Sequence, residues 1–397
     1  MSKAVVIGAG IGGLAAAIAL EQRGWDVTVL ERAKALEPVG SGLAIAANAL
    51  KALDTVGLGD EVRRLSRIQG KGGIRTPSGR WLAHTTEERA TARYGDSVVV
   101  MLRATLMDLL ADRVKDLRLG TAVTAVDAGT GEVRAERAPA GPASGATGTD
   151  GIAFEADLVI GADGIHSATR TTLFPGHPAP VYSGVTAWRA LMPHPGGTVQ
   201  SAETWGRGQI VGVLPLAGDL VYLYATDLSP AGAVHGDERA ELLRRFGSWH
   251  EPVPALLESV APEKVIRNDV FFLDTPLPAM HRGRVALVGD AAHPMTPNLG
   301  QGACQAIEDA VVLAANTGDL AAYTAARLER TSKVVARSMK LCRMTKLRHP
   351  LAVRLRDTGM SLAARFSPDL MLRSMDEVLG WTPQDSAGSG RGPAVPA

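Results

Sequence analysis

A chain of 397 residues that is 46% hydrophobic and 21% charged has an ordinary globular composition and is long enough for two cores. A net charge of +1 excludes a strong field for nucleic acid or an anionic membrane, and no run reaches the about 18 apolar residues that a membrane span needs. Cys304 and Cys342 are the only cysteines and form no CxxC, which excludes a disulfide framework and leaves two buried, inert thiols in a cytoplasmic, reducing setting as the expectation.

Residues 3–32, KAVVIGAGIGGLAAAIALEQRGWDVTVLER, read as strand, glycine turn, helix, strand and acid. The apolar run 4–7 suits a buried parallel strand. Gly8, Gly10 and Gly13 follow at G-x-G-x-x-G spacing. The first permits a tight turn, the second lets a pyrophosphate approach the backbone, and the third lets the helix pack on the strand. Residues 12–23, rich in alanine and leucine and free of proline, are the helix, whose N-terminal N–H groups favour a phosphate. Gly24 ends it, VTVL at 27–30 is the second strand, and Glu31 at its end can accept hydrogen bonds from a ribose. The pattern predicts an adenine dinucleotide site without separating NAD from FAD.

Further along, residues 45–54 look helical, either as a plain connection or as a wall of the cofactor site. Short strands are predicted at 73–76 and 80–83 around the turn PSG. VVVM at 98–101 leads into a helix with Arg103 near its start, which is either an exposed helix position or a reach toward a phosphate or ring edge. TAVTAVDAG and GEVRAERA give two strands around a turn, and the Gly- and Pro-rich stretch 138–151 a surface loop. DLVIGADG is a buried strand ending in Asp163-Gly164, with Ser167 and Arg170 on the turn after it. Asp163 there either meets a hydroxyl or backbone donor or caps a helix.

Residues 177–274 change texture. Strand-like runs between Gly, Pro and Asp turns predict an antiparallel sheet, with Trp188 and Trp205 as ligand wall or plain core, and helices at 237–246 and 254–260. VALVGDAAH is one more buried strand, ending in Gly289-Asp290. The loop HPMTPNLGQG, stiffened by Pro294 and Pro297, leads into a helix beginning near Gln301, whose positive end can stabilise negative charge on a ring. Residues 319–345 and 351–380 are helical, and the last residues are disordered in composition.

Three motifs thus stand in order: GAGIGG with Glu31, DLVIGADGIHSATR, and GDAAHPMTPNLGQG. Together they resemble the single-component, class A FAD-dependent monooxygenases of the para-hydroxybenzoate hydroxylase fold, and within them the salicylate and urate hydroxylase branch. The resemblance implies an α/β fold. A Rossmann-type, GR2-like FAD-binding domain of residues 1–70, 98–176 and 275–340 would be interrupted by an antiparallel substrate domain of residues 71–97 and 177–274. Helices at 341–382 and a disordered tail at 383–397 would follow.

The same resemblance implies site residues. Gly8, Gly10 and Gly13 would hold the FAD pyrophosphate, and Glu31 the adenosine ribose. Arg32 and Arg103 would contact FAD, Asp163 would support FAD and NAD(P)H binding, and Asp290 would bond the ribityl chain. The backbone of Leu299, Gly300, Gln301 and Gly302 would face the flavin pyrimidine ring. The implied reaction is hydroxylation of a small aromatic molecule with NADH or NADPH and O2, through a flavin C4a-hydroperoxide, in a monomer or homodimer that uses no metal.

On that reading the sheet covers the flavin, excludes water and aims a ring carbon. Candidates to touch substrate are His293 and Pro297 of the loop, and Arg189, Gln209, Tyr222 and Tyr224 of the sheet. Alternation puts the two tyrosines on one face. His293 is equally a loop histidine bonding the backbone, and Arg189 or Arg207 either pairs with an anionic substrate or makes a surface salt bridge. No base for a phenolic substrate stands out in the sheet. Tailoring of a polycyclic natural product, epoxidation of an alkene, or an FAD reductase that never uses oxygen would share the three motifs. An FAD-binding scaffold would not need the GDAAHPMTPNLGQG loop.

Overall fold

The computed structural model describes residues 1–36, 40–68, 71–137, 151–196, 198–367 and 369–386. The cofactor half is laid out on a six-stranded sheet with Lys3–Ile7 inside it. The strand order is His281–Arg282, Val285–Leu287, Leu158–Gly161, Lys3–Ile7, Asp26–Leu30, Asp116–Arg118, parallel throughout except at the His281–Arg282 edge. Three of the four inner strands, Val285–Leu287, Leu158–Gly161 and Lys3–Ile7, are buried almost throughout, which is why their sequences are continuous apolar runs rather than alternating ones. Their register brings the strand ends, and with them Gly8, Glu31 and Asp163, to one edge. In an open α/β sheet that edge is where a ligand binds. The helix Ile11–Glu21 packs against Gly302–Ala315. A Cβ on Gly12 would lie 3.2 Å from the Ala306 methyl, so small residues set that approach.

The second half is a seven-stranded sheet in the order Ile266–Phe272, Val181–Pro193, Leu220–Leu228, Ile210–Leu216, Ala202–Trp205, Gly72–Arg75, Trp81–Thr85. Its pairs are antiparallel except Ala202–Trp205 on Gly72–Arg75, which run parallel. That departs from the expected all-antiparallel sheet. The Gly72–Thr85 hairpin arrives from the cofactor half and joins the edge without a tight turn to fix an antiparallel sense. One face packs on the helices Glu238–Phe246 and Val253–Ser259, through Trp188, Met192, Val213, Leu223, Phe246 and Trp249. Trp188 and Trp249 are therefore core. The other face sets Leu191, Leu214, Tyr222 and Tyr224 against Ala44, Val100 and Leu102 of the cofactor half.

Two more expectations change. The strand Val285–Leu287 stops before Gly289, because Gly289 takes φ 59° and opens the tight turn Gly289–Ala291. The stretch 351–380 is helical as expected, in the pieces Pro350–Phe366, Leu370–Arg373 and Asp376–Leu379. The tail begins with a 3-10 turn at Pro383–Ser386 rather than with disorder. The rest of it, from 387, and the loop at 138–150 lie outside the described residues. Among the described residues no helix is long and apolar enough to cross a membrane.

Candidate active site

The glycine turn is shaped for close approach. Gly8 has φ 103°, and a Cβ on Gly13 would stand 2.0 Å from the Gly8 carbonyl oxygen. Only glycine lets the helix sit on that turn. Gly10 differs: nothing lies within 4 Å of where its Cβ would be. The helix beginning at Ile11 carries no side-chain cap, so its first N–H groups are left for a ligand. Glu31 Oε2 accepts from Ala9 N and Oε1 from Ala33 N, each at 2.8 Å, which pins the carboxylate beside the turn with lone pairs to spare. A cavity of about 310 Å³ opens here, lined by Gly8, Gly10, Glu31, Arg32, Asp163 and Thr169 among others. An adenine dinucleotide fits this place: open space over Gly10, an uncapped helix end, and an anchored acid at the next strand end.

Asp163 lines the same cavity, but both of its oxygens are engaged. Ser167 Oγ donates at 2.5 Å, and Thr169 N and Oγ1 each at 2.9 Å. Its support is thus exerted through the loop that it holds. Arg170 has a larger part than its sequence position suggested. It is buried and donates to Ile165 O at 2.6 Å, Ala291 O at 3.0 Å and Asp290 O at 3.3 Å, tying the Asp163 loop to the Gly289–Ala291 turn.

Behind that turn lies a buried charge network. Arg327 Nε donates to Asp309 Oδ1 at 2.6 Å and its Nη1 pairs with Glu308, which Arg330 Nε also reaches at 2.7 Å. Asn48 Nδ2 bridges Glu308 Oε1 at 2.6 Å and Gln301 Oε1 at 3.0 Å. Asp309 Oδ2 accepts from Gly289 N at 2.8 Å and meets His293 Nε2 at 2.5 Å. Burial alone would raise the Asp309 carboxyl. The charges of His293 and Arg327, with the bonds from His293 and Gly289, hold it below its ordinary value.

His293, expected either to touch substrate or to bond the backbone, is instead seen bonded to a buried acid. It is 5% exposed, its Nε2 is engaged with Asp309, and it lines a separate cavity of about 170 Å³ that shares no residue with the one over the glycine turn.

Asp290 behaves differently from its neighbours in this loop. It is accessible to solvent yet enclosed by enough protein that burial raises its carboxyl, against the pull of His293, Arg103 and Arg170. Accessible and enclosed together describe a residue in a cleft. Arg103 shares that character. Burial lowers its pKa, Asp290 opposes this and Arg189 adds to it. Asp290 and Arg189 both act on the Arg103 charge, so these three groups, from three separate segments, neighbour one another at the cleft.

The helix Gly302–Ala315 begins with no side-chain cap, since the Gln301 side chain turns inward to Asn48. Gly300 and Gly302 leave open space where a Cβ would be, and an exposed Pro297 starts the turn Pro297–Leu299, whose last residue, Leu299, is half-buried.

The roof of the cleft is the face of the seven-stranded sheet opposite its helices, turned toward the cofactor half. Arg189, Tyr224, Gly212 and Glu203 are successive partners across four strands, and Leu191, Tyr222 and Leu214 form the next row. The Tyr222 and Tyr224 rings lie 5.8 Å apart. A Cβ on Gly42 would fall 2.5 Å from Tyr222 Cδ1, so glycine there admits the ring. Arg189 Nη1 donates to Asn268 Oδ1 at 2.7 Å.

Gln209 is corrected. Its Nε2 donates to Asp227 Oδ2 at 2.8 Å, beside the Asp227–Arg245 pair, so alternation places it on the helix-covered face. Glu203 is the residue missed. In SAETWG it is one acid in a strand, and only the pairing register brings it beside Tyr224. Cys304 and Cys342 are buried, and burial pushes the Cys304 thiol up to about 12.

Residues 1–195 and 264–338 match the family model described as FAD binding domain. The chain is 36% identical over 382 residues to the aurachin C monooxygenase/isomerase of Stigmatella aurantiaca, covering 93% of this chain and 96% of that one. It is 33% identical over 365 residues to the FAD-dependent urate hydroxylase of Mycolicibacterium vanbaalenii, covering 88% and 90%. HpxO of Klebsiella pneumoniae, solved with FAD and uric acid, matches with a TM-score of 0.83 at 29% identity, over 95% of this chain and 96% of that one. With its glycine cradle, its two uncapped helix ends and these relatives, the chain belongs to the FAD-dependent class A monooxygenases.

Proposed function

We propose that this FAD-dependent monooxygenase uses NADH or NADPH and O2 to hydroxylate a planar aromatic heterocycle that carries an ionisable O–H or N–H. The balanced reaction takes substrate, O2, NAD(P)H and a proton to hydroxylated substrate, water and NAD(P)+. FAD, when bound, supplies the electron transfer to oxygen and the reactive oxygen donor. The protein's share is binding and aim. The glycine turn and Glu31 hold the adenine dinucleotide end. The Gly302–Ala315 helix terminus offers free N–H groups to negative charge, and Arg103 and Asp290 add a pair of opposite charges that act on each other.

The observation behind the substrate class is the roof itself. It pairs two aromatic rings and two leucines, enough to sandwich a flat ring and exclude water, with Arg189 and Tyr224 as polar contacts. Relatives named for urate, 6-hydroxynicotinate and 2-heptyl-3-hydroxy-4(1H)-quinolone point to the same chemistry. A second reading, oxygen insertion followed by rearrangement, is favoured by the relative named a monooxygenase/isomerase.

The test is NADH and NADPH oxidation by the FAD-loaded protein with urate, 6-hydroxynicotinate, 3-amino-4-hydroxybenzoate and 2-heptyl-4(1H)-quinolone, with peroxide and product measured together. At least one compound is expected to speed oxidation with product in excess of peroxide. Oxidation that yields only peroxide with every compound, or no stimulation at all, would contradict the proposal. The mass of the product separates simple hydroxylation from insertion with rearrangement when combined with its ring-proton spectrum.

A further inference from the structure

We infer that Glu203 and Tyr224 form a proton relay in the substrate pocket, in which Tyr224 meets the ionisable O–H or N–H of the bound ring and Glu203 receives the proton. The inference rests on the substrate class proposed above and names the group that would activate it.

The relay is built by a glycine. Tyr224 and Glu203 lie two strands apart on one face, with Gly212 between them. The Tyr224 ring lies over Gly212, where a Cβ would stand 2.0 Å from Tyr224 Cζ and 2.5 Å from its hydroxyl oxygen. Any side chain at 212 would lift the ring. With glycine there, the hydroxyl crosses the strand and donates to Glu203 Oε1. Trp205 Nε1 donates to Glu203 Oε2 at 2.7 Å. Each carboxylate oxygen therefore has one donor, and the Tyr224 oxygen keeps acceptor capacity for a substrate proton.

The neutrality of those donors sets Glu203 apart. Other buried acids of this chain are matched by arginine: Asp227 by Arg245 at 2.5 Å, Glu308 by Arg330 at 2.7 Å, Asp309 by Arg327 at 2.6 Å. Among the described residues no cation pairs with Glu203. Burial raises its carboxyl and the two donors only partly offset this. Such a group takes up a proton more readily than an ordinary carboxylate, which suits a base. Tyr224 is raised well above its ordinary value by burial and then by Glu203, so it passes a proton on and does not itself hold a negative charge.

The other charged or titratable groups around the pair are few. Tyr222 and Arg189 share its sheet face, and Arg103 stands across the cleft. Arg356, bonded to Asp357, stacks 5.5 Å over the Trp205 ring from the helix Pro350–Phe366. Arg75 and His250 lie with Thr204 on the opposite face.

The step balances without redox change. The bond from the substrate O or N to hydrogen breaks as one forms to the Tyr224 oxygen. The Tyr224 O–H bond breaks as one forms to Glu203 Oε1. The substrate becomes an anion, richer in electrons at the carbon that accepts oxygen, and Glu203 becomes a neutral acid.

The test uses FAD-loaded wild type, Glu203→Gln and Tyr224→Phe, with the compound of the panel above that gives coupled turnover. Two readouts are taken across pH: product formation, and the absorbance of the enzyme-bound compound without reduced nicotinamide, which reports its ionisation. Below the compound's own pKa, both variants are expected to form product about 10²-fold more slowly. They recover as pH rises above that pKa. The bound compound should also ionise at lower pH on wild type than on either variant. FAD content and melting temperature confirm that the variants fold; Tyr224→Phe serves if the amide introduced by Glu203→Gln, facing the Trp205 N–H, unsettles the sheet.

An equal loss at every pH, or unchanged ionisation of the bound compound, would overturn the relay and leave the pair structural. Failure of wild type to couple turnover with any compound would instead overturn the substrate class on which the relay rests.

Discussion

The two walls of the cleft are made by opposite means. The cofactor wall is backbone and glycine: Gly8, Gly10 and Gly13 under one uncapped helix end, Gly300 and Gly302 under another. Its densest charge network is hidden behind the loop, where Arg327 and Arg330 match Glu308 and Asp309. The substrate wall is side chains on a sheet face, with Tyr222, Tyr224, Arg189 and Glu203 in adjacent rows and neutral donors on the acid. A ligand held by backbone constrains shape and leaves most side chains free to differ. A ring held by side chains changes with each substitution. Relatives named for urate and for aurachin C can therefore share the first wall while their substrates differ.

The largest effect should come from the hidden charges. Arg327→Met takes the guanidinium from between Glu308 and Asp309, leaving Arg330 on the first and His293 on the second, and a loss of about 3–5 kcal/mol is expected in denaturant unfolding. A loss under about 1 kcal/mol would mean that the network is not holding the loop.

The glycines separate folding from binding. Gly13→Ala drives a methyl against the Gly8 oxygen, and should cost about 1–3 kcal/mol together with the retained FAD. Gly10→Ala has open space and an ordinary φ of −75°, so the flavin-free protein should melt as wild type does. Its FAD affinity should still fall about tenfold or more, since a charge-assisted bond is worth about 1.5–3 kcal/mol. Equal damage from both substitutions would erase the distinction.

The smallest effect is in pH, where Asp309 on the one hand and Glu203 and Asp290 on the other carry opposite signs. Asp309 is held below its ordinary value, so its stabilisation is present above the unfolded carboxylate pKa of about 3.9. It is lost as pH falls through the lowered folded value. Glu203 and Asp290 are held above theirs, so they favour the fold at low pH and that contribution is lost as pH rises through the raised folded values. Melting of the flavin-free protein across pH should show Asp290→Asn and Glu203→Gln flattening the higher-pH side and leaving the acid side in place.

What could be read from the sequence follows the same division. The Rossmann unit was legible because strand, turn, helix and acid are contiguous and their geometry is set locally by Gly8, Gly10 and Gly13. Arg103 and Asp290 could be placed only by resemblance, and in the structure the charges of Asp290 and Arg189 both act on Arg103. His293 misled because its partner, Asp309, lies on a helix beyond the loop, where sequence spacing says nothing of direction. Gln209 misled by one position of alternation, which sends it to Asp227 on the covered face. Glu203 was invisible because its meaning depends on three paired strands and on the missing side chain of Gly212. The parallel edge pair was missed for the same reason, since nothing local records that Gly72–Arg75 returns beside Ala202–Trp205.

The most direct test of the division between the two walls is the ratio of product formed to reduced nicotinamide consumed by FAD-loaded Gly212→Ala. The methyl displaces Tyr224 without approaching the cofactor wall. FAD content should match wild type, while the ratio falls and peroxide rises to make up the difference. A ratio equal to wild type would show that Tyr224 and its row do not aim the substrate, and a loss of FAD would show that the two walls are not separable.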